Sequence, residues 1–210
     1  MSDDLGARRL AALESLGIPG LREGLVVSEA KREYRVELGP DEVTATCAGK
    51  LLGRAEGRGD LPAVGDVVAV EVRPHPDGTS RATIHAVLPR KTKFSRRAAG
   101  LRDDEQIVAA NVDTVFITVG LDADFNVRRI ERYLAAVWES GATPVVLLTK
   151  SDLAADLDAK LAEARAVAGR AEVMAVSART GDGVAAFRAR LTPGETVALV
   201  GPSGSGKTTT

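Results

Sequence analysis

The sequence is poor in cysteine: Cys47 is its one example, which excludes an internal disulfide and any metal site built from several cysteines within these 210 residues. Cys47 lies in a strand-like run and reads as a small buried apolar residue. Histidine is nearly as scarce; His75 and His85 fall in or near strand-like segments and read as structural. An excess of charge is lacking too. The formal net charge is −1, so a nucleic-acid partner has to be argued from a local cluster rather than from the whole chain. No stretch reaches the roughly 18 apolar residues of a membrane span. The N-terminus, MSDDLGARRL, lacks the apolar segment of a secretory signal. Internal repeats and low-complexity tracts are missing as well. What remains is 44% apolar, enough for one or two ordinary globular domains. A cytoplasmic protein with no membrane contact is the expectation.

Two textures follow one another along the chain. Residues 1–24 read as a helical leader, with an amphipathic stretch over 4–16 stopped near Gly17 and Pro19. Residues 25–89 read as a small β-barrel. YRVELG, EVTATCAG, DVVAVEVR and RATIHAVL are Val/Thr/Ile-rich runs with partial alternation, separated by Gly-Pro-Asp, Gly-Arg-Gly-Asp and Pro-Asp-Gly turns. Four or five strands in so few residues suggest an OB-like barrel. Residues 90–112 read as a basic connector. From 113 to 210 the pattern is α/β: TVFITVG (114–120) is a continuous apolar run of a buried parallel strand. Val127, Ile130, Leu134, Val137 and Trp138 then recur at helical spacing between an Asn126 N-cap and a Gly141 stop. Strands at 144–148, 172–177 and 196–200 alternate with helices at 157–168 and 183–191, which predicts right-handed crossovers and a parallel sheet.

The last strand runs into GPSGSGKT, a G-x-x-x-x-G-K-[ST] loop in the strand–loop–helix context that gives the motif its meaning. Gly201, Gly204 and Gly206 let successive N–H groups face one concavity that holds phosphates. Lys207 is placed to reach the β- and γ-phosphates, and Thr208 to offer its hydroxyl to Mg²⁺. Pro202, Ser203, Ser205 and Thr209 complete the stretch assigned to nucleotide. The loop does not choose the base, and GETVALVGPSGSGKTT also resembles the Walker A segment of ABC-type transporter ATPases.

The base is read upstream. LLTKSDL (147–153) and VSART (176–180) close two parallel strands, where doubly wound sheets bind ligands. Thr149, Lys150, Ser151 and Asp152 resemble the [NT]KxD guanine signature of GTPases, and Ser177–Ala178 their short SA motif. Asp152 can accept from guanine N1–H and the 2-amino group together, a donor pair that adenine lacks. The Lys150 stem can lie across the base plane, and the Ala178 N–H can meet O6. Thr149 stands where Asn is commoner; it keeps a hydroxyl on a shorter arm for any tie to the phosphate loop. In an ordinary GTPase the phosphate loop comes before the guanine signature; here it comes after, the mark of a circular permutation.

An OB-like barrel, a basic connector and a partial, permuted P-loop GTPase domain together resemble the ribosome small-subunit-dependent GTPase A family. AVGDVVAVE, LPRKTKFSRR, AANVDTVFITVG, TKSDL, VSARTGDG and GPSGSGKT carry the resemblance. It implies GTP hydrolysis with GTP/GDP and Mg²⁺, coupled to late maturation of the small (30S) ribosomal subunit, with the barrel on 16S rRNA. Arg90, Lys91, Lys93, Arg96, Arg97 and Arg102 form a local basic run without an acidic residue, and Phe94 lies among them as a stacking ring. The competing reading is a solvated linker that Phe94 anchors to a domain. The resemblance further implies switch segments, a D-x-x-G and a Cys/His zinc-binding region beyond Thr210, so a truncated, hydrolysis-impaired monomeric fragment that binds guanine nucleotide weakly is expected. The alternatives are an ABC-type ATPase fragment and a non-catalytic RNA-binding module.

Overall fold

Alternation of apolar and polar residues builds the first half of the chain. The computed structural model describes residues 2–75, 78–97, 105–122 and 125–208. After helix α1 (Ser2–Ser15), five strands follow: β1 (Arg22–Ala30), β2 (Glu33–Leu38), β3 (Asp41–Cys47), β4 (Val67–Pro74) and β5 (Ser80–Val87). They close into a barrel in the order β1-β2-β3-β5-β4, with β4 pairing back onto β1. Closure gives each of the five strands a paired neighbour on both sides. In β2 every second residue is buried, so Tyr34, Val36 and Leu38 point inward beside Val26, Val68, Val70 and Ile84. β1 starts at Arg22, within the stretch read as leader. Between β3 and β4 a short helix, α2 (Gly49–Arg54), was not anticipated; its two glycines hide it from propensity. Cys47 packs against the barrel core and is half-buried.

The segment read as a connector is folded. β6 (Lys93–Arg97) and β7 (Glu105–Ala110) pair antiparallel, and Ile107 and Ala110 pack with Ala63. Ala110 N–H donates to Val64 O at 2.9 Å and Asn111 Nδ2 to Gly65 O at 2.7 Å. Gly65 adopts φ +89°, and a Cβ there would sit 2.2 Å from Ala110 O, so only glycine permits this approach. Arg9 of α1 donates to Pro89 O at 3.0 Å and to Asn111 Oδ1 at 2.9 Å, which fixes the leading helix to the same unit. The chain forms two compact units, Met1–Asn111 and Val112–Thr210.

The second unit is a parallel sheet of β8 (Thr114–Gly120), β9 (Thr143–Thr149), β10 (Glu172–Ala175) and β11 (Val197–Val200), in the order β10-β9-β8-β11. All seven residues of β8 are buried, as its unbroken apolar run predicts. Helix α3 (Val127–Ser140) has Asn126 accepting from Arg129 N at its start and Gly141 in the left-handed conformation at its end. Helix α4 (Leu157–Ala168) is capped by Asp156. Both helices pack on β9. Helix α5 (Val184–Ala189) carries Phe187, whose ring meets Phe116 edge-on at 5.1 Å within a cluster with Val145, Leu147 and Val176. The sheet therefore brings the C-terminal ends of β9, β10 and β11, with their loops, to one rim.

Candidate nucleotide-binding site

Each site loop begins where a buried strand ends. β9 stops at Thr149, Lys150 takes φ +57°, and a single 3-10 turn follows over Ser151–Leu153. The left-handed residue turns the chain sharply off the strand. The turn is pinned to the next strand's continuation, since Ser151 N–H donates to Val176 O at 3.1 Å and Val176 N–H to Leu148 O at 2.8 Å. β10 leads through buried Val176 and Ser177 to exposed Ala178. Asp152 and Ser177 meet: the Ser177 hydroxyl donates to Asp152 Oδ1 at 2.5 Å. Arg179 Nη2 lies 2.6 Å from Asp152 Oδ2. The Ser177 hydroxyl first, and then the Arg179 guanidinium, hold the Asp152 carboxyl below the usual carboxylate range. Lys150 Nζ is ion-paired with Asp122, which follows β8.

The glycine-rich loop after β11 is joined to the TKSD loop directly. Thr149 is buried, and its Oγ1 donates to Ser205 O at 2.6 Å. The shorter arm noted in the sequence thus reaches, because the loops lie on adjoining strand ends. Buried Ser205 in turn donates its hydroxyl to Thr118 Oγ1 at 2.8 Å, which donates to Val200 O at 3.0 Å. Gly201 runs against β8 so closely that a Cβ would lie 2.3 Å from Thr118 O. Lys207 Nζ arches back over the loop, 3.0 Å from Gly201 O and 2.6 Å from Pro202 O. Ser203, Gly204 and Thr208 are exposed. Thr209 lies outside the described residues. The loop is a series of turns through Thr208.

One cavity of about 220 Å³ is lined by Thr149, Lys150, Asp152, Leu153, Ala178, Arg179 and Gly206. It therefore takes residues from the TKSD loop, the SA loop and the phosphate loop together. Thr118, Asp122 and Arg179 were not singled out from sequence. Thr118 had a signal: a threonine in the middle of an apolar run needs a hydrogen-bond partner once buried. Asp122 and Arg179 had none that separates them from surface charge.

The basic run belongs to the first unit. Arg90 is committed within the barrel unit, its Nε and Nη2 each 2.7 Å from the two oxygens of Asp66. It also donates to Gly59 O at 2.8 Å and Leu61 O at 3.1 Å. Asp66 is fully buried. Phe94 is buried too, so its ring belongs to the interior rather than to a stacking surface. Lys91 and Lys93 are exposed. Arg96 and Arg97 lie on β6, and Arg102 is outside the described residues.

A parallel sheet whose TKSD loop precedes its G-x-x-x-x-G-K-T loop in sequence, yet joins it in space, is a circularly permuted P-loop nucleotide-binding domain. Comparison with known proteins specifies which kind. The family model for RsgA GTPase matches residues 87–210, and the chain belongs to that family. It is 54% identical to the small ribosomal subunit biogenesis GTPase RsgA of Opitutus terrae over 173 residues, covering 80% of this chain and 47% of that protein. It is 41% identical to RsgA 2 of Lactiplantibacillus plantarum, covering 89% of this chain and 51% of that one. The chain thus spans about half the length of these curated relatives. Among solved structures, YjeQ from Thermotoga maritima superposes with a TM-score of 0.69 at 25% identity, covering 90% of this chain and 63% of its own. YloQ, described as a circularly permuted GTPase, shares the fold with a TM-score of 0.62 at 20% identity, covering 90% of this chain and 62% of its own.

Proposed function

We propose that this chain supplies the guanine-nucleotide site and an RNA-facing barrel of a GTP hydrolase acting in late maturation of the small ribosomal subunit, in the cytoplasm and as a monomer. The observation that carries the nucleotide part is the bond from Thr149 Oγ1 to Ser205 O at 2.6 Å, beside a cavity that Asp152, Ala178 and Gly206 share. It supports a reading in which Asp152 and the phosphate loop serve one bound nucleotide. Asp152 reads N1–H and the 2-amino group, the Ala178 N–H meets O6, and the Lys150 stem covers the base. The Gly201–Thr208 amides and Lys207, released from Gly201 O and Pro202 O, take the phosphates.

Mg²⁺ fits as an ion held chiefly by phosphate oxygens and water, with the exposed Thr208 hydroxyl as its protein ligand, where it would neutralise charge on the phosphates. Among the described residues no cluster of three or more His, Cys, Asp or Glu side chains is placed to hold a metal. Competition against fluorescent GDP tests the base assignment. GDP should displace it at least about 100-fold better than ADP, because adenine brings neither an N1–H nor a 2-amino donor to Asp152 and turns an amino group, not a carbonyl, toward the Ala178 N–H; equal competition would end the guanine assignment.

The family names of the relatives, small ribosomal subunit biogenesis GTPases, support the ribosomal setting. On this chain the reading draws on two features of the barrel unit. The β1–β2 turn holds Lys31 at φ 52° and Arg32 at φ 69°, two cations in a conformation that favours glycine. Exposed Lys91 and Lys93 begin the basic run that continues with Arg96 and Arg97. The barrel has the size and strand count of an OB fold, an oligonucleotide-binding form. Binding to 16S-type rRNA should weaken about tenfold when Arg96 and Arg97 are both replaced by Ala, with a shallower salt dependence. A salt slope that stays the same would exclude β6 from the contact.

A further inference from the structure

Asp152 presents two oxygens, and both are already engaged. Oδ1 accepts from the Ser177 hydroxyl at 2.5 Å, and Oδ2 from Arg179 Nη2 at 2.6 Å. The two donors differ in kind. Ser177 is buried at the end of β10, part of the frame. The Arg179 side chain is 72% exposed, while the Asp152 side chain beneath it is 10% exposed. A long, solvent-rich arm thus reaches back over a nearly covered carboxylate, and it lines the cavity that the base would enter. A carboxylate so covered is costly without a partner, whereas an exposed arginine parts from one at little cost.

From this geometry we infer that Arg179 is a specificity-determining residue: it occupies Asp152 Oδ2 as a stand-in for the 2-amino group of guanine and yields that oxygen when the base arrives. The inference rests on the guanine reading of the cavity. Oδ1 is the oxygen held by the buried Ser177 hydroxyl, and with the Ala178 N–H assigned to O6 the guanine reading gives N1–H to Oδ1 and the 2-amino group to Oδ2. A purine with both donors evicts Arg179. Hypoxanthine, which has N1–H and O6 but no 2-amino group, leaves Arg179 in place and binds beside it. Arg179 therefore weakens guanine and spares hypoxanthine; it narrows the margin by which the site prefers a 2-amino purine, while keeping Asp152 charged and aimed when the cavity is empty.

The experiment measures GDP, IDP and ADP binding to the 210-residue protein and to Arg179→Ala and Arg179→Lys, by competition against fluorescent GDP at two salt concentrations. Arg179→Ala should tighten GDP about two- to five-fold, the range of one exposed ion pair, and leave IDP unchanged. The GDP gain should shrink at high salt, where the wild-type pair is screened. Arg179→Lys, which keeps the cation, should stay close to wild type. Unchanged GDP binding in Arg179→Ala would overturn the proposal, as would equal gains for GDP and IDP. A weaker GDP complex in Arg179→Ala would make Arg179 a partner of the bound base, which also overturns it. Wild-type protein that prefers ADP to GDP would remove the guanine reading itself, and this proposal with it.

Discussion

Asp152→Asn is expected to lower GDP affinity by about 100-fold and to make xanthosine diphosphate the better ligand. The side chain keeps its size and its place beside Ser177, but one acceptor becomes an amide donor. Guanine then meets a donor facing its 2-amino group. Xanthine carries a carbonyl at that position and pairs with the new amide, while its N1–H still finds the remaining oxygen. A swap of preference in direct titration separates loss of base reading from loss of folding, since a misfolded protein binds neither. Acidity gives the same prediction from another side. The Asp152 carboxyl sits below the usual carboxylate range because Ser177, and then Arg179, favour its charged form. A group lowered in this way contributes at pH values above its ordinary pKa and loses that contribution as pH falls through the lowered value. GDP affinity should therefore hold from neutral pH down to about pH 4 and fall only below it. A midpoint near pH 6 would show that another group governs binding.

Arg90→Ala should destabilise the barrel unit by about 3–5 kcal/mol, the cost of leaving a buried carboxylate without its partner. Asp66 is fully buried, and Arg90 grips both of its oxygens at 2.7 Å. The Ala63 N–H, at 2.8 Å from Oδ2, is too little to replace a guanidinium. The same change strips the donors from Gly59 O and Leu61 O. In thermal unfolding the barrel transition should drop by more than about 10 °C. Arg90→Lys should recover part of this, because an ammonium keeps the charge but not the two-pronged grip. A change below about 0.5 kcal/mol, joined to weaker rRNA binding, would return Arg90 to the RNA-facing set.

Arg90 and Phe94 also show where sequence reading reaches its limit. In a string of letters a basic run looks the same whether its members face solvent or an acid 24 residues away in sequence. Burial of Phe94 depends on β6 pairing with β7, across a stretch whose charge hides any strand pattern. By contrast β8, α3 and α4 were legible because local signals agree there: an unbroken apolar run, and helices with caps at their N-terminal ends. The TKSD and GPSGSGKT loops were legible as motifs. Their junction was not, since it depends on Thr149 and Ser205, separated by 56 residues and joined only through strand order. Arg179 on Asp152 was hidden for a simpler reason: an arginine after an SA pair looks like any other exposed cation.

The pairing of β11 with β8 matters as the chain leaves the ribosome. Strand β8 emerges early and must wait through roughly eighty residues for its neighbour, a long loop to close. The TKSD turn after β9 takes shape meanwhile, against β10. During synthesis, then, the TKSD turn can take shape before the glycine-rich loop exists, and the cavity they both line is complete only after β11 docks.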